Sequence, residues 1–233
     1  MLSIKNRVYL ITSIFFVLSC ITLFLSYSLN VVLVTELVLF VFVLKYKIYS
    51  EWTIALFWLC FILSETFLVF SENPLNTIWP TLFKLFGYVM LCLCGFFKQK
   101  TLRISYIEYL IYGLLIFLNT YVVRAVIAII EPFIILEYLV NLYFLLGCAL
   151  IIVAAFAIRY RLIKDSRSKY FALVVVFLTL AEVTSVIAHY LQLMALCYLE
   201  YFLFLFGLSF CVLFSVLENK NDKAFKLVKV RGV

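Results

Sequence analysis

Two glutamates sit deep inside apolar runs, Glu65 in ILSETFLVF and Glu182 in LTLAEVTSVIAHY. A charge in a lipid-spanning segment costs several kcal/mol (~2.5–3.5 on insertion scales) unless it is paired or hydrated, so each is a candidate site. The two are 117 residues apart, and the same separation relates Glu72 to His189. Within each run the two residues are seven apart, which places them on nearly one face of a helix. Thr179 and Ser185 share the Glu182 face. Two carboxyls meeting in a low dielectric resist double ionisation, so one can serve as general acid and the other as base. Glu65 and Glu182 are therefore the expected catalytic pair. Lys84 and Arg124 are the basic residues inside apolar runs, and either can neutralise one of them. Lys84, Arg124, Glu36, Glu137 and His189 are the candidates for holding a substrate. The competing reading is structural: an ion pair or polar helix contact for the two acids, and side chains reaching up to water for Glu36, Glu137 and Glu200.

Other chemistries are excluded or unsupported. One histidine rules out a multi-histidine metal centre. Cys92 and Cys94 point about 200° apart on a helix, so their C-x-C spacing makes no metal site. Reduced cysteines packing as small apolar residues is the expectation for all seven. No nucleophile elbow, zinc-protease, phosphate-loop or dinucleotide-binding motif is present. No metal and no cofactor are expected.

The elements that carry these residues follow from composition. The 233 residues are 67% hydrophobic and 13% charged, with 6 glycines and 3 prolines. A water-soluble domain of this size has nearer half apolar and a quarter charged residues, so the excess must face lipid. Eight runs approach the length of about 20 residues that a bilayer requires. They cover roughly 8–28, 31–45, 52–72, 75–97, 106–130, 133–158, 170–192 and 196–217, the second being short. No strand-length alternation occurs, which argues against a barrel. The first run follows Lys5 and Arg7 but lacks a cleavage pattern, so it reads as a retained helix. The prediction is one all-α integral membrane domain over 1–233, with a basic cytoplasmic tail at 218–233.

Of the 19 Lys and Arg, 17 fall before the first run, in every second connection, or in the tail. The connections near 29–30, 73–74, 131–132 and 193–195 have none. This alternation predicts both termini in the cytoplasm. It also assigns the +7 net charge to topology rather than to nucleic acid. Four spans separate the Glu65 and Glu182 helices, so the two run in the same direction. That points to two parallel four-helix halves.

Eight helices with both ends inside, and a small residue followed by an acid in the third and seventh, resemble the YhhN family. The residues carrying the resemblance are Ser64-Glu65 and Ala181-Glu182, where the family usually has Gly-Asp and Ser-Asp. The resemblance implies a lysoplasmalogenase, which hydrolyses the vinyl ether bond of a membrane lysolipid. The sequence departs from the family in having Glu for Asp, in lacking a Lys-Pro in the second helix, and in placing Lys84, Gly87 and Tyr88 where the fourth helix usually carries histidine. A non-hydrolytic member, a small-solute or proton-coupled transporter, and a non-catalytic membrane subunit are the alternatives. Oligomeric state and substrate identity are not encoded in any motif.

Overall fold

The computed structural model describes residues 4–23, 28–45, 52–70, 78–98, 106–134, 136–162 and 165–231. Lys47, Glu72, Lys100, Arg103 and Lys164, used above for topology or repeat, lie outside the described residues. Each apolar run contains one α-helix: α1 (Ile4–Leu23), α2 (Ser28–Lys45), α3 (Trp52–Phe70), α4 (Ile78–Lys98), α5 (Tyr106–Ile130), α6 (Glu137–Arg161), α7 (Ser166–Tyr190) and α8 (Met194–Arg231). No strand occurs among the described residues. Helices are what continuous apolar sequence forms in lipid, because every backbone N–H and C=O is then satisfied within its own segment. Seven of the eight are long and apolar enough to cross a membrane, and α2 is the shortest.

Several boundaries differ from the sequence reading, and three of them bear on the connections and the tail. The sixth helix starts at Glu137 rather than near 133, after a turn of 3-10 helix at Glu131–Phe133. Pro132 explains the break, since it lacks an N–H and disfavours helical geometry in the residue before it. The seventh starts at Ser166, with Asp165 at the N-cap position. The eighth runs beyond Leu217 to Arg231, so the basic segment prolongs a helix.

Seven helices close into a ring: α1 packs on α2, α2 on α3, α3 on α4, α4 on α6, α6 on α7, α7 on α8, and α8 back on α1. α8 packs on α2 as well, while α5 stands outside the ring against α6. The outer surface of the bundle is apolar, with Phe70, Phe117, Ile129 and Val41 exposed among many others. A contiguous apolar surface on this scale is incompatible with water and suits lipid. Trp52 and Trp79 are also exposed near helix ends, where amphipathic rings sit at a membrane interface. Inside, Phe61 packs edge-on to Tyr88 and stacks with Phe204, linking α3, α4 and α8. A Thr12–Ser209 hydrogen bond joins α1 to α8.

The same packing device occurs twice. A methyl group on Gly87 of α4 would lie 2.6 Å from Phe61 of α3, and one on Gly207 of α8 would lie 2.8 Å from Leu178 of α7. Phe61 and Leu178 each precede their glutamate by four residues. The contact of α8 with α2 is likewise matched by that of α4 with α6. Glycine allows this close approach, since a side chain at either place would force Phe61 or Leu178 to shift.

Candidate active site

α3, α4 and α7 bring three charged side chains together. The Lys84 ammonium on α4 lies 3.8 Å from Glu65 Oε1 on α3 and 3.3 Å from Glu182 Oε1 on α7. It also donates a hydrogen bond to Glu182 Oε2 at 3.4 Å. The carboxylate side chains are only 5% and 6% exposed, and the lysine 13%. Removing these charges from water is expensive, and only mutual attraction plus hydrogen bonds offset it.

Local sequence sets the geometry. Ser64 Oγ donates to the Pro80 carbonyl at 3.0 Å, which fixes the register of α3 against the first turn of α4. The Lys84 side chain, on the next turn, therefore faces Glu65. Pro80 is tolerated there because the first turn of a helix has N–H groups without intrahelical partners. Tyr88, one turn beyond Lys84 on the same face, donates to Glu182 Oε1 at 3.2 Å.

The cluster opens into a cavity of about 110 Å³, whose lining includes Glu65, Lys84, Glu182, His189 and Glu200. His189 Nδ1 lies 3.7 Å from Glu200 Oε2 on α8 and 2.8 Å from the Ser185 carbonyl. The tight turn between α7 and α8 makes that approach possible. Gln192 takes a left-handed conformation (φ 54°), and the Leu193 N–H closes on the Ala188 carbonyl at 3.0 Å. This is the Schellman arrangement that ends many helices, usually with glycine at the left-handed position.

The structure sorts the sequence candidates. It brings Glu65, Glu182, Lys84 and His189 to one cavity. Arg124 is exposed on α5 and lines neither this cavity nor the slot described below, so it does not neutralise the pair. Glu137 is exposed at the start of α6 and is also remote from both. Glu36 neither reaches water nor lines the cavity. It is fully buried, and neither carboxyl oxygen has a hydrogen-bond partner. The reason is that α2 is covered by α1, α3 and α8, which turns this face inward. Glu200, read as a surface residue, is instead part of the cavity wall with its side chain 13% exposed. Tyr88 was not among the sequence's site candidates, although its spacing from Lys84 was a usable signal. No disulfide joins any of the seven cysteines, and no cluster of metal-ligating side chains occurs among the described residues.

In comparisons with family models, curated proteins and solved structures, the chain matches none.

Proposed function

We propose that the chain is an eight-span membrane protein with both termini cytoplasmic, built as two parallel four-helix halves, and that it is a lysoplasmalogenase-like hydrolase using Glu65 and Glu182. The convergence of these two buried acids on Lys84 at one cavity carries this reading. The repeated glycine contacts and the matched helix pairs support the two halves. The alternation of Lys and Arg between connections supports the orientation.

Vinyl ether hydrolysis begins with protonation of the β-carbon. One carboxyl of the pair donates that proton as general acid. The cluster of two carboxyls and one ammonium is neutral while it holds this proton. Giving the proton up leaves a net charge of −1 beside the oxocarbenium ion just formed, which stabilises it. The other carboxylate then removes a proton from the attacking water. The hemiacetal collapses to an aldehyde and an alcohol, so one water is consumed per bond broken. Lys84 and Tyr88 hold the carboxyls in place and do not exchange protons with the substrate.

The test is aldehyde release from a lysoplasmalogen by the purified chain. Glu65→Gln and Glu182→Gln are each expected to lose at least about 100-fold, the range for removing a positioned acid or base. An inactive wild type, or full activity in both variants, would refute the assignment. Protease accessibility of tags at residues 1 and 233 in oriented vesicles checks the topology.

A further inference from the structure

A second, larger cavity of about 380 Å³ runs as a half-open slot between α5, α6 and α7. Its walls are apolar, formed by Val122, Val126, Leu150, Ile151, Ala154 and Val183 among others. It adjoins the polar cavity, because Tyr143, Leu146, Glu182 and Val186 line both. A polar site thus lies directly beside an apolar one, which is the shape of an amphiphile.

The outer side of the slot is α5, the helix that stands outside the ring and packs on α6. The two helices touch where Gly147 meets Val123, and a methyl group on Gly147 would come within 2.4 Å of the valine. That contact bounds the width of the slot. A second hydrocarbon chain would require α5 to leave α6.

One polar atom in the slot is unaccounted for. Thr66, Thr120 and Thr184 donate their hydroxyls to the carbonyl four residues back. Thr179 lines the slot, and its Oγ1 is buried with no hydrogen-bond partner. A buried donor left unpaired costs about 1–3 kcal/mol. Thr179 precedes Glu182 by three residues, or about 4.5 Å of helix rise on nearly the same face. The unpaired hydroxyl therefore sits between the apolar walls and the acidic end.

We propose that the slot binds the single hydrocarbon chain of a membrane amphiphile, which enters sideways from the bilayer between α5 and α7. An ether or ester oxygen at the root of the chain accepts the Thr179 hydrogen bond, and the polar end lies in the cavity beside Glu182. The hydrolase reading supplies only what happens at that polar end.

The probe is a lysophospholipid with a saturated ether link and a photoactivatable group in its chain, added to the purified chain in lipid nanodiscs. Labelling is expected on slot residues of α5, α6 and α7. Ala154→Trp and Ala155→Trp fill the slot and are expected to lower that labelling about tenfold. Thr179→Val is expected to weaken binding about 2- to 10-fold, corresponding to one hydrogen bond, and to leave an analogue without the root oxygen unaffected. Labels spread evenly over all lipid-facing helices, or a pattern unmoved by these variants, would overturn the proposal. The saturated link cannot be hydrolysed by this route. Slot labelling without any lysoplasmalogen hydrolysis would therefore sink the hydrolase and leave the slot. Full hydrolysis by both tryptophan variants would sink the slot and leave the hydrolase.

Discussion

Replacing Lys84 with methionine keeps the length of the side chain and removes its charge. Glu65 and Glu182 would then face one another without their shared counter-charge. With an effective dielectric of 20, separations of 3.3 and 3.8 Å correspond to about 5 and about 4 kcal/mol of gross attraction. Desolvation has already offset part of this, and breaking a buried pair by removing one partner costs a net of about 3–5 kcal/mol. Lys84→Met is therefore expected to destabilise the fold by about that amount. The unfolding equilibrium in mixed micelles measures it. The informative control is the triple variant Lys84→Met, Glu65→Gln, Glu182→Gln, which removes all three ionisable groups together. It is expected to recover most of the loss, since an uncharged cluster of similar shape has no stranded ion. If the single variant is as stable as wild type, or the triple variant is no better than the single, the three residues do not form one electrostatic unit.

Three further expectations use the same assay. Gly87→Ala and Gly207→Ala should each destabilise by about 1–3 kcal/mol through overpacking, whereas Gly113→Ala should not, because a methyl group there meets nothing within 4 Å. Equal effects at all three would remove the close-approach argument. Glu36→Met should be neutral or stabilising, because it replaces a fully buried group without hydrogen-bond partners by an apolar one; a loss as large as that of Lys84→Met would show that Glu36 has a partner it cannot spare. At Asp165, partial burial acts against the charge, but the Arg167 guanidinium, hydrogen-bonded at 2.5 Å, and nearby backbone N–H groups hold the carboxyl below the usual Asp range. Its small contribution is thus present above the ordinary Asp value and lost as pH falls through the lower folded value. An Asp165→Asn variant should show less acid sensitivity there, and an unchanged pH profile would count against the pairing.

The number of helices was legible because lipid imposes a length and an apolar composition on each one. That Glu65 and Glu182 belong together was suggested by their spacing, and the structure brings both to Lys84. Which acids face inward was not. Glu36 and Glu137 look alike in the sequence, yet one is fully buried and the other exposed. In a soluble helix the apolar stripe would reveal the buried face, but here lipid-facing and core-facing sides are both apolar. The buried face is marked instead by small and polar residues, such as Gly87, Ser64 and Gly207, whose meaning emerges only beside their neighbours. Arg124 was misplaced for a related reason: its depth was readable, but the position of α5 outside the ring was not.

The place of α8 has a consequence for how the molecule is made. Of its membrane window 72% is buried, against 17% for that of α1. Yet it leaves the ribosome after the other seven helices. Until then α1 and α2 have no α8 to close against, and Thr12 lacks its Ser209 partner. The ring of seven helices therefore cannot close until α8 has followed the others into the membrane. A chain that stops before α8 would lack the element that joins α7 to α1 and α2.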